Sequence, residues 1–117
     1  MSGASLLWLA AFLAFAVGVA HSYLGERFIL MRLAGVSSFK MRTLRFAWHI
    51  TTIAWWGFAA ILVLAARTVL TAASALQTLS VTMLVTGAVI LVTSRGRHLA
   101  WPVFAAIGLI AWFAAAP

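Results

Sequence analysis

The chain has 117 residues, of which 66% are hydrophobic and 8% charged. A soluble domain carries about 25% charged residues, so this sequence cannot cover a water-facing surface. The net charge is +7, from eight Lys and Arg against a single acid, Glu26. On a soluble chain that balance would point to nucleic acid. Here the basic residues lie between long apolar runs, where they read as topology signals, and no nucleic-acid partner is expected. There is no cysteine, which removes disulfides, thiolate metal sites, iron–sulfur clusters and a cysteine nucleophile together.

The apolar runs are each close to the roughly 20 residues needed to cross hydrocarbon. They predict a single transmembrane domain over residues 1–117. The expected class is an all-α integral membrane protein, an antiparallel four-helix transmembrane bundle. The first span is expected over residues 4–26, continuing as helix towards Leu33. Residues 6–20 look like the apolar core of a signal peptide, but no positive charge precedes them. The segment is therefore read as a retained span. Gly35-Val36-Ser37-Ser38 is a turn, and the second span covers residues 42–66. Residues 67–74 form a short connection without Pro or Gly, followed by the third span over 75–93. Ser94-Arg95-Gly96-Arg97 is a tight turn. The fourth span covers 99–115, with Pro102 in its first turn, where a missing backbone N–H costs little.

The basic residues predict orientation. Arg27, Arg32, Lys40, Arg42 and Arg45 belong to the first connection, Arg95 and Arg97 to the third, and only Arg67 to the second. By the positive-inside rule the first and third connections are cytoplasmic, and both termini are non-cytoplasmic. The expected location is the inner (cytoplasmic) membrane. The Ala- and Arg-rich composition suggests a bacterium with a GC-rich genome.

At 100° per residue, each span has one face that lipid would not select. In the first, Ala11, Ala14, Gly18, His21, Ser22 and Gly25 share an arc, and Glu26 sits just beyond its edge. In the second, Arg42, Arg45, His49, Thr52 and Trp56 line up. In the third, Thr78, Thr82, Thr86 and Thr93 do. In the fourth, His98, Trp101, Ala105, Gly108 and Trp112 do. Small residues and hydroxyls read first as packing surfaces, and the threonines as groups that bond their own helix.

The ionisable residues carry more information. If Arg27 and Arg45 mark the cytoplasmic interface, His21 and His49 lie roughly 6–9 Å inside it at 1.5 Å per residue. His98 starts the fourth span on the same side. Such residues inside a span cost on the order of 2–3 kcal/mol and are functional candidates. The minimal explanation is a Glu26–Arg45 ion pair that pins the first two helices.

Four functions fit. The first choice is an accessory or interaction subunit of a membrane complex, with the lipid bilayer and either a homo-oligomer or a larger membrane-protein assembly as partners. A haem- or metal-binding protein is the second. His21 and His49 would ligate a haem b with Arg45 at its propionates, or His21, Glu26, His49 and His98 would hold a divalent metal. The third is a proton-coupled transporter using Glu26. The fourth is an intramembrane enzyme with His49 as general base oriented by Glu26, or with Tyr23 hydrogen-bonded to a quinone. Ser22 and His21 are not a catalytic pair, because adjacent helical positions point about 100° apart.

Overall fold

The computed structural model describes residues 2–116. Four α-helices form: α1 (Gly3–Leu24), α2 (Ser38–Ala66), α3 (Ala72–Ser94) and α4 (Ala100–Ala114). A π turn (Gly25–Ile29) and a 3-10 turn (Leu30–Arg32) extend α1. No strand occurs among the described residues. Three segments are long and apolar enough to cross a membrane: Gly3–Arg32, Ser38–Ala66 and Ala72–Ser94. The fourth helix is equally apolar but has only 15 residues.

Hydroxyl side chains set the starts of three helices. The Ser2 side chain accepts from the Ser5 N–H at 3.2 Å, and Ser37 accepts from the Lys40 N–H at 3.4 Å. Thr71 and Ser74 form a reciprocal capping box, with bonds of 3.0 Å and 2.8 Å. Each such cap is worth about 1 kcal/mol. They place the starts of α2 and α3 earlier than the apolar runs alone predict. The end of α3 is the expected tight turn. Arg95 and Gly96 both take left-handed backbone, with φ of 53° and 74°, and the Gly96 N–H reaches back to the Leu91 carbonyl at 2.9 Å.

The helices do not close into the expected bundle. α1 packs on α2, α2 on α3 and α3 on α4, in chain order. The molecule measures 50 × 35 × 11 Å across its Cα atoms. Two stacked layers, 8–10 Å between axes, need more than that thickness once the Cα radius of about 2.3 Å is added on each side. The fold is therefore one layer of helices. Large side chains such as Phe12, Phe58, Val92, Ile110 and Phe113 are exposed, because there is no second layer to cover them.

Within the layer, small residues bring the backbones close. A Cβ at Gly87 would lie 3.1 Å from the Trp101 carbonyl oxygen and 3.2 Å from the Ala105 nitrogen, so α3 and α4 touch backbone to backbone. The Ser80 hydroxyl, fully buried, donates across that seam to the Gly108 carbonyl at 2.6 Å. The threonine stripe behaves differently. Thr78, Thr82, Thr86 and Thr93 donate to Ser74, Thr78, Thr82 and Val89 of their own helix. Their hydroxyls are satisfied locally and recruit nothing.

The α1–α2 and α3–α4 turns lie at the same end of the layer. The contact that shows it is His98, at the start of α4, packed edge-on against Phe46 near the start of α2, with centroids 4.8 Å apart.

Candidate functional site

The polar residues of α1 and α2 converge on the seam between these helices, and a glycine explains how. The Trp48 indole occupies the space that a Cβ at Gly25 would need. Its Nε1 donates to the His21 carbonyl at 2.9 Å. Trp48 therefore fixes the register of the two helices at this level.

Just past Gly25 the helix widens into the π turn. A π turn inserts an extra residue into the helical repeat and recurs at functional sites. Glu26, which lies outside the polar arc at regular α-helical spacing, sits in this turn and meets α2. Its Oε1 accepts from Arg45 Nη2 at 2.7 Å and its Oε2 from Arg45 Nε at 3.1 Å. This two-pronged fork is the strong form of a guanidinium–carboxylate pair. Glu26 and Arg45 remain 31% and 43% exposed, so the pair reaches solvent or headgroups.

His49, one turn along α2 from Arg45, continues the network. Its Nε2 lies 3.2 Å from Glu26 Oε2, and its Nδ1 lies 2.8 Å from Ser22 Oγ. Ser22 Oγ is in turn 2.7 Å from Thr52 Oγ1, which donates to the Gly18 carbonyl at 3.1 Å. A continuous run thus leads from the Arg45 guanidinium, through Glu26, His49, Ser22 and Thr52, to a backbone carbonyl in the buried seam. No buried side-chain polar atom among the described residues lacks a partner.

His21 is close in sequence but belongs to a separate set. Its ring stacks on Trp48, with centroids 4.6 Å apart and planes 6° from parallel, and Trp55 meets it edge-on at 4.9 Å. Its Nε2 faces both Thr51 Oγ1 at 2.9 Å and the Trp48 carbonyl at 3.2 Å. Thr51 gives its own hydrogen to that carbonyl at 2.6 Å, so the tautomer with hydrogen on Nε2 is the one that satisfies these contacts. His98 is a capping and packing residue: its Nδ1 accepts from the Ala100 N–H at 3.2 Å.

The four candidate metal ligands are therefore not assembled. Glu26 and His49 meet, while His21 and His98 each face other partners. Among the described residues no three His, Asp or Glu side chains lie close enough to share an ion. The Nε2 atoms of His21 and His49 are both engaged within the seam, and Arg45 is committed to Glu26. The Glu26–Arg45 pair and the Glu26–His49 contact are as the sequence suggests. Ser22, Trp48 and Thr51 are additions. Ser22 has the wrong geometry for its neighbour His21 but the right one for His49, and its position one turn before Glu26 is the signal that links them.

Two recesses lie nearby. One of about 330 Å³ is lined by Tyr23, Glu26, Arg27 and Met31. There Arg27 donates to the Tyr23 hydroxyl at 2.8 Å. The other, of about 520 Å³, is a long apolar groove between α2 and α3 whose lining includes Trp56, Gly57, Gln77, Thr78, Thr82 and Val85. Comparison with known proteins finds no matching family, no matching curated protein and no matching solved structure.

Proposed function

We propose that this chain is an interaction subunit of a larger bacterial inner-membrane assembly, inserted with both termini outside. The observation that carries the reading is the single helical layer. Its polar network is satisfied internally, so it needs no ligand to hold it together. Its apolar helices lack a second layer. In membranes, helices associate where small residues let backbones approach. The groove between α2 and α3 offers such a residue at the exposed Ala60, with Gln77 and Thr78 as polar contacts for an incoming helix. The occupant we favour is a transmembrane helix of another subunit.

Mild extraction followed by native mass spectrometry tests this. The chain is expected in a species larger than a monomer, and Ala60→Phe, which fills the groove from its exposed wall, is expected to release it. A lone monomer from the unaltered chain under the same extraction overturns the reading.

A proton-coupled carrier using Glu26 is the second reading. The run from Glu26 to Gly18 supports it, since carboxylate–histidine chains move protons in membranes. Glu26→Gln is expected to abolish proton-coupled uptake into vesicles, and unchanged uptake removes this reading.

A further inference from the structure

The run Glu26–His49–Ser22–Thr52–Gly18 has a property that follows from counting its hydrogens. Thr52 has one hydroxyl hydrogen, and the Gly18 carbonyl can only accept. When Thr52 donates to Gly18, its oxygen must accept from Ser22, because the two hydroxyl oxygens are 2.7 Å apart. Ser22 has then spent its hydrogen, so the contact to His49 Nδ1 requires a proton on that nitrogen. At the other side of the ring, Nε2 faces Glu26 Oε2. Arg45 forks onto both oxygens of Glu26, which fits the carboxylate and not the acid. Nε2 must therefore carry a proton too. With the run pointing towards Gly18, His49 is an imidazolium.

One other arrangement satisfies the same distances. His49 loses the proton on Nδ1 and keeps the one on Nε2, still donated to Glu26. Ser22 turns its hydrogen to Nδ1, and Thr52 turns its hydrogen to Ser22. Only the Gly18 carbonyl loses a donor. The neutral form with its proton on Nδ1 is excluded, because it sets a bare Nε2 against the carboxylate held by Arg45.

We propose that this run is a proton-binding site, in which one proton taken up at His49 Nδ1 reverses the direction of the Ser22–Thr52 hydrogen bonds and delivers a donor to Gly18. The proton enters from the headgroup side past the partly exposed Glu26–Arg45 pair, and the ring itself is 31% exposed. The two hydroxyls rotate about their C–O bonds, and no other bond is made or broken. The site ends at a close contact of the two helices, since Gly18 carries Thr52 and the Trp56 indole against it. The proton is thereby read at the α1–α2 seam.

The surrounding charges are few. Glu26 and Arg45 face the ring directly or through one contact. Arg27 and Tyr23 flank Glu26 at the smaller recess. His21 lies one turn further along the seam in its own hydrogen-bond set. α3 and α4 carry no ionisable side chain, and in the turn between them His98 packs on Phe46, about one turn before His49 on α2. The inference holds whether the chain is an interaction subunit or a carrier.

The test is nuclear magnetic resonance on the full chain in lipid nanodiscs, with 15N-labelled histidine rings and a 13C-carbonyl-Gly, 15N-Val pair label. Gly-Val occurs only at Gly18-Val19 and Gly35-Val36, so the Gly18 carbonyl is one of two signals. Between about pH 8 and about pH 5, the range in which histidines change charge, His49 is expected to pass from the Nε2–H neutral form to the cation. The Gly18 carbonyl is expected to shift along the same curve. In Thr52→Val the carbonyl response is expected to vanish while His49 still takes up its proton. Ser22→Ala gives the same uncoupling by a second route, and unchanged His21 signals certify the fold of either variant. A neutral His49 protonated on Nδ1, a His49 that does not change charge over this range, or a Gly18 carbonyl indifferent to His49 in the unaltered chain overturns the proposal.

Discussion

Ser22 and His49, 27 residues apart in the chain, meet with Oγ 2.8 Å from Nδ1. Neither residue would hold the other there alone. Ser22 sits on α1 one turn before the π turn, and His49 on α2 one turn after Arg45. The contact depends on the Trp48 indole seated at Gly25 and on the Glu26–Arg45 fork. The polar site and the packing of the α1–α2 seam are thus one structure, and changes to either should be felt in the other.

The fork itself is open to a direct measurement. Both partners are partly exposed, so solvent screening discounts the attraction, and exposed pairs contribute about 0.2–1 kcal/mol. A double-mutant cycle of Glu26→Gln and Arg45→Gln, read by unfolding in a lipid-like detergent, should give a coupling of about 1 kcal/mol. Glu26→Gln should cost more than Arg45→Gln, because Glu26 also holds His49. Equal single effects with no coupling would mean that the fork does not hold the hairpin.

Gly25 should be the least replaceable residue of the seam. A Cβ there collides with the rigid Trp48 ring rather than with a flexible chain end, so Gly25→Val should destabilise by about 1–3 kcal/mol or more, as overpacking does. Gly3, which has open space around it, is the matched control, and Gly3→Ala should be neutral in the same thermal unfolding assay. If Gly25→Val were as stable as Gly3→Ala, Trp48 would not be seated as described.

The sequence made the helices readable and left their assembly unreadable, for physical reasons. Apolar length announces each helix, and Ser37 and Thr71 announce caps that move two starts. The α2 arc of Arg45, His49, Thr52 and Trp56 is the face that meets α1, because 3.6-residue periodicity fixes a face. Periodicity does not fix neighbours, and a bundle differs from a single layer only in whether α1 also packs on α3 or α4. It also assumes a regular helix. Glu26 falls outside the polar arc on that assumption and enters the site through the π turn. His21 and His49 share a depth, but Trp48 between them separates their hydrogen-bond sets.

That separation predicts the outcome of metal analysis. Glu26 and His49 offer only two ligands, and structural or catalytic zinc sites use three or four protein ligands. Purified protein should show no stoichiometric metal by mass spectrometry and no Soret band. A band or a metal lost in both His21→Ala and His49→Ala would require the α1–α2 seam to open and rebuild around a cofactor.

Hydroxyls on α3 should divide sharply by where their hydrogen goes. Ser80 donates across to Gly108 in the most buried part of the α3–α4 seam. Cross-helix bonds of this kind in membranes average about 0.6 kcal/mol and reach about 1.7 kcal/mol. Ser80→Ala should approach the upper value, because it removes the side-chain donor from the Gly108 carbonyl at a fully buried position. Thr86 is nearly as buried, but donates to Thr82 of its own helix, a bond that adds nothing between helices. Thr86→Val keeps the shape and should stay within about 0.5 kcal/mol of the unaltered chain. Unfolding both variants in the same detergent separates the two roles. If Thr86→Val cost as much as Ser80→Ala, the threonine stripe would be holding something outside its own helix, and the partner surface would have to be sought on α3.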